Sequence, residues 1–187
     1  MHEATVVYLV HHGDALGPLR DPQRPLSACG RRQVEWLSRE AANRHTKPVV
    51  IWHSGKLRAR QTAEAFWRAC NPLAEFAATK WMQPGDPPRI ADLLNVETRD
   101  VMLVGHMPHL DRLRRNLLTA PVGKPHPSAP ESGLQTRAGL DQCGDDAERA
   151  FPLHGVVALR HTQAGWVELW RLTAPARTDL YFLTDPT

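Results

Sequence analysis

Short apolar runs alternate with helical stripes along most of the chain. Thr5 to Val10, Val49 to Trp52 and Val101 to Val104 are continuous apolar runs, the pattern of strands buried on both faces. Each run leads into a stretch with helical spacing. Ser27 reads as the N-cap of a helix that reaches about Asn43, with Val34, Leu37 and Ala41 on its inner face. Arg58 to about Cys70 places Ala59, Ala63, Phe66 and Cys70 on one side, and Leu110, Leu113, Leu117 and Leu118 form a third stripe. Val156 to Arg160 and Trp166 to Leu172, joined near Gln163-Ala164-Gly165, predict a terminal hairpin. This order predicts an α/β fold with a largely parallel sheet and helices on both faces. The 187 residues suit a single domain over 1–187, and no internal repeat is visible. Between the last helix and the hairpin, residues 119–150 are rich in Pro, Gly, Ser and charge. That is too long for an ordinary connection, so the stretch reads as a mobile loop, either idle or a lid on the site.

Composition narrows the choice of partners. The formal net charge of +3 is mild, and Arg112, Arg114 and Arg115 fit a solvated helix face better than a nucleic-acid stripe. An anionic small ligand or a phosphorylated protein is the better use for local positive charge. No apolar run is long enough to span a bilayer. Val6 to Val10 is too short for a signal sequence, so none is expected, nor is a membrane partner. Cys29, Cys70 and Cys143 are scattered and odd in number, which argues against a disulfide framework and for a reducing, cytoplasmic setting.

The chemistry gathers at the predicted strand ends. His11 and His12 close the first strand, His53 and Ser54 the second, and His106 and His109 follow the third. Parallel strands bring their C-terminal ends to one edge, where open α/β sheets form their ligand crevice. Arg58 opens a helix there, and a cation beside a positive helix end suits phosphate. A neutral imidazole can attack phosphorus and form a phosphohistidine. Beyond that, the reaction needs donors around the phosphoryl oxygens and a carboxyl group to protonate the leaving group.

Five segments occur in an order that resembles the histidine phosphatase superfamily. They are His12-Gly13-Asp14-Ala15, the run Asp21…Arg24-Pro25-Leu26-Ser27…Gly30…Gln33, Ser54…Arg58-Ala59…Gln61-Thr62-Ala63, Pro84-Gly85-Asp86 and Gly105-His106…Pro108. Within the superfamily the chain is most similar to the short SixA-type phosphohistidine phosphatases. The resemblance implies a three-layer, phosphoglycerate mutase-like sandwich and a cofactor-independent phosphatase. It makes His12 the phosphorylated histidine, with Arg58 and His106 as catalytic, phosphate-binding groups. Asp86 becomes the candidate acid, against the alternative that it caps a helix starting near Pro87. The implied substrate is a protein phosphohistidine foremost, or a small phosphate ester.

One position departs from the pattern. The family's first motif is Arg-His-Gly, and here it is His11-His12-Gly13. Three readings follow. His11 still binds phosphate as an imidazolium, giving an activity that weakens as pH climbs through neutrality. Alternatively, the site is catalytically degenerate and binds phosphate or a phosphoprotein without turnover. In the third, His11, His12, His53, His106 and His109 hold a transition metal; no metal site is assigned in the preferred reading.

Overall fold

Six strands form one sheet: Val6–His11 (β1), Val50–His53 (β2), Glu75–Ala78 (β3), Val101–Gly105 (β4), Gly155–Thr162 (β5) and Gly165–Thr173 (β6). The computed structural model describes residues 5–119 and 150–176. The strand order is β3-β2-β4-β1-β5-β6; the first four strands run parallel, and β5 and β6 join antiparallel to β1 and to each other. Helices Ala28–Asn43 (α1) and Leu57–Cys70 (α2) cover one face, while Ile90–Val96 (α3) and His109–Thr119 (α4) cover the other. The predicted three-layer α/β architecture with a C-terminal hairpin is therefore the observed one.

Alternation along β1 builds both cores. Tyr8 and Val10 pack with Val34, Leu37, Ala63 and Phe66, whereas Val7 and Leu9 pack with Leu94, Leu110, Leu113 and Leu117. Burial on both faces explains why β1 and β4 read as unbroken apolar runs. Register then aligns the polar ends. His11 pairs with Gly105 and His53 with Val104, so His12, Ser54 and His106 emerge together at the carboxyl edge. Val10 pairs with Val156 in the antiparallel neighbour, which brings the start of β5 to the same edge.

α1 begins where the sequence predicts. Ser27 accepts the Gly30 N–H at 2.9 Å, and its hydroxyl also bonds Asp14 Oδ2 at 2.5 Å. This ties the helix start to the loop that follows His12. Gly30 permits the contact, because a Cβ there would collide with the Asp14 carbonyl oxygen. Gly13 is pinned in the same way, with Val34 Cγ2 2.6 Å from a Cβ built on it.

Two elements go beyond the expected set. β3 is a four-residue edge strand, and α3 is a seven-residue helix after Pro87-Pro88. The helix starts at Ile90 with Arg89 at the capping position, so Asp86 does not cap it. The expected mobile loop at 119–150 lies, apart from its two end residues, outside the described residues. Among the described residues, no helix is long and apolar enough to cross a membrane.

Candidate active site

His12 occupies the centre of the carboxyl edge, and two hydrogen bonds set its tautomer. Its Nδ1 lies 2.7 Å from the Gly13 carbonyl oxygen, which can only accept, so Nδ1 carries the proton. Arg58 Nε donates to His12 Nε2 at 3.1 Å, so Nε2 presents its lone pair. Burial, ahead of the nearby Arg58 charge, holds the His12 pKa down at about 4, although the Gly13 bond pulls it the other way. The ring is neutral near pH 7.

The loop carrying His12 is fixed by side chains from both helices behind it. Thr62 accepts the Gly13 N–H at 3.2 Å and Gln33 accepts the Asp14 N–H at 3.1 Å. Gln61 accepts from Leu26 N–H at 2.7 Å. Gln33, Gln61 and Thr62 thus position the motif loop rather than meet a substrate.

Arg58 is buried on the first turn of α2 and shares its surroundings with Arg24, whose charge also acts on His12. The His106 ring meets that of His12 edge-on, with ring centroids 4.9 Å apart. Its Nε2 bonds Ser54 Oγ at 2.7 Å, and burial lowers its pKa to about 3. Ser54 leads on to the candidate acid. Its carbonyl accepts from the Gln83 side chain at 2.8 Å, and Asp86 Oδ2 accepts the Gln83 backbone N–H at 2.8 Å. Asp86 is half-buried on this loop, attached to the site through Gln83 and Ser54.

His11 does not fit the imidazolium reading. The backbone N–H of His154 donates to its Nδ1 at 2.9 Å, so that nitrogen must be an acceptor. Burial and the neighbouring His12 and His154 push its pKa down to about 2. His11 is a neutral ring. His154 itself was not foreseen from the sequence. It sits at φ +49° just before β5, and its Nδ1 donates to the His12 carbonyl oxygen at 2.7 Å. Its ring stacks on His11 at 5.1 Å and lies 6.2 Å from His12.

Among the described residues, no group of three His, Cys, Asp or Glu side chains is placed to hold a metal ion. His53 turns aside, with its ring 5.1 Å from Phe76 and its Nδ1 taking the Gly55 N–H at 3.1 Å. His109 is fully buried on α4. Its electrostatic neighbours are Asp86, Arg112 and His106 rather than His12.

Comparison with known proteins finds a family resemblance over part of the chain and a shared fold over most of it. Residues 7–80 match the model of the histidine phosphatase superfamily (branch 1). That span holds the first three motif segments and the positions of His12 and Arg58, and the resemblance read from the motifs stands. More particularly, the fold is the one shared by SixA structures. A chain from Agrobacterium tumefaciens described as a phosphohistidine phosphatase SixA superposes with a TM-score of 0.65 at 24% identity, covering 90% of this chain and 98% of that one. The protein histidine phosphatase SixA complexed with tungstate gives 0.64 at 17% identity, over 94% and 99% of the two chains. A phosphoserine phosphatase from Entamoeba histolytica in complex with 3-phosphoglyceric acid gives 0.60 at 12%, over 92% and 98%. No curated protein matches the chain significantly.

Proposed function

We propose that this chain is a cofactor-independent phosphatase that works through a covalent phospho-His12 intermediate. The superfamily match and the SixA-like neighbours support a phosphatase. One observation carries the mechanism: His12 Nε2 is unprotonated, held in that state by the Gly13 carbonyl and met by Arg58. In-line attack by Nε2 on the phosphoryl group breaks the bond to the leaving group. Before that attack, Arg58 moves its donors from Nε2 to phosphoryl oxygens, which frees the lone pair, and its planar fork spans two of them. His106 donates to another oxygen across the ring, and the Nδ1–H bond to Gly13 steadies the charge that forms on His12. Asp86 protonates the leaving group and afterwards activates the water that hydrolyses the phosphohistidine.

Protein phosphohistidine is the proposed substrate, with small phosphate esters as the alternative in the same class; the likeness to SixA supports the first. The protein operates in the cytoplasm, a setting consistent with Cys29 and Cys70 being buried free thiols. A second reading, binding of phosphate or a phosphoprotein without turnover, draws on His11 standing where the family has arginine.

Phosphate release from a phosphohistidine peptide and an aryl phosphate, across about pH 5 to 8 where histidines titrate, separates the two. Turnover that disappears in His12→Ala establishes the phosphatase. Absence of turnover, with phosphate affinity retained in His12→Ala, establishes the binder.

A further inference from the structure

His11 stands where the family has its first-motif arginine, and it cannot itself supply a cation there. Protonating His11 would place an N–H against the His154 N–H, because Nδ1 is already the acceptor of that bond. His154 has the opposite arrangement. Its Nδ1 already donates to the His12 carbonyl, so a second proton on Nε2 breaks no hydrogen bond.

His154 is also held firmly. Its backbone N–H bonds His11, its carbonyl accepts from Ala174 N–H at 3.2 Å, and its ring bonds the chain of the nucleophile itself. The next residue, Gly155, is packed so closely that a Cβ would run into the Leu172 carbonyl and meet Pro152 at 2.6 Å. A half-buried histidine with positive φ is thereby fixed beside two other imidazoles. Non-glycine residues in that backbone region persist where the surroundings over-determine them, often at functional sites.

We propose that His154, as an imidazolium, binds a phosphoryl oxygen through Nε2–H on the His11 flank of His12, taking the place of the first-motif arginine. This rests on His12 being the phosphoryl-accepting centre. Among the described residues, the charged and titratable groups that act on His11, His12 and His106 here are these three rings and His154 themselves, with the Arg58 and Arg24 guanidinia and, further out, Lys56 and His109. All are neutral imidazoles or cations, so a doubly charged oxyanion is the partner that favours a proton on His154, and the proton in turn favours the oxyanion. Because the anion-bound form carries one more proton, affinity for such an anion falls as pH rises.

The test uses tungstate at micromolar concentration and needs no turnover. In 15N-histidine spectra of the wild-type chain at about pH 7, tungstate should convert His154 to the doubly protonated ring and leave His11 as the Nε2–H tautomer. His154→Asn keeps a donor for the His12 carbonyl and suits positive φ, but lacks Nε2. It should bind tungstate roughly ten- to a hundredfold more weakly at about pH 6 and lose the pH dependence. A His154 ring that stays neutral on saturation overturns the proposal, as does unchanged affinity and pH trend in His154→Asn. If Arg58-dependent tungstate binding is itself absent, both this proposal and the phosphate-site reading fall. If tungstate titrates His154 but no substrate is hydrolysed, only the phosphatase reading falls.

Discussion

The two flanks of His12 solve the same electrostatic problem in different ways. On one, Arg58 projects from the first turn of α2 and its guanidinium bonds His12 Nε2 at 3.1 Å. On the other, a neutral His11 is backed by His154 from the antiparallel part of the sheet. The first flank has a permanent charge that matches the shape of a phosphoryl group. The second has His11, which burial holds neutral, and His154, which is fixed against both His11 and the His12 carbonyl. On the phosphate-site reading, a single change in the first motif replaces a fixed cation on one side with His11, a neutral ring backed by His154.

This contrast is broken most severely at the fixed side. Arg58→Ala should lower kcat/KM for an aryl phosphate by roughly a hundred- to a thousandfold, the scale for losing one preorganised donor to developing negative charge. Arg58→Lys should recover little, because an ammonium lacks the planar fork. Steady-state rates of the two variants decide the point, and near wild-type activity in Arg58→Ala would show that the flanks are not divided in this way.

His11→Gln should cost less, about tenfold at most, since a neutral hydrogen-bonding group is exchanged for another. A loss as large as that in Arg58→Ala would restore His11 as the principal anion ligand. The loop beneath both flanks can be disturbed independently. Gly30→Ala drives a Cβ into the Asp14 carbonyl and should destabilise the fold by about 1 to 3 kcal/mol, measured by urea unfolding.

The smallest effect per group is the pH dependence of stability. His11, His12 and His106 have pKa values lowered to about 2, about 4 and about 3, mainly by burial. Below about pH 6.5 the unfolded chain takes up protons that the native rings refuse. The stability they permit is therefore complete above that pH and declines as pH falls towards 4, by up to about 1 kcal/mol per pH unit for each ring. Removing one ring in His11→Gln should make the decline shallower in urea unfolding at pH 7, 6 and 5. An unchanged slope would mean that His11 is not held neutral.

How much of this is legible in the sequence follows the physics of each element. β1, β2, β4, α1, α2 and α4 appear within a residue or two of their predicted spans, because strands buried on both faces and amphipathic helices write their periods into the sequence. Glu75–Ala78 is short, lies at the sheet edge and has little buried surface, so it carries no such pattern. Ile90–Val96 has barely two turns and lacks a side-chain cap. The positions of His12, Arg58 and His106 can be read from motif order and the carboxyl-edge rule. His154 cannot, because its place depends on β5 pairing antiparallel with β1, a long-range event that no local signal announces. Its one trace is a histidine directly before Gly155, at the head of an apolar strand that pairs with β1. The charge state of His11 is likewise hidden, being decided by a backbone donor 143 positions away.

Trapping the intermediate tests the central role of His12 most directly. The chain is mixed with a radiolabelled phosphoryl donor and quenched in alkali, which preserves phosphohistidine, and the label is then mapped by peptide mass. The expected result is one labelled site at His12, formed within the first turnover and absent from His12→Ala. Turnover without a label, or a label on any other residue, would contradict His12 as the phosphoryl-accepting nucleophile.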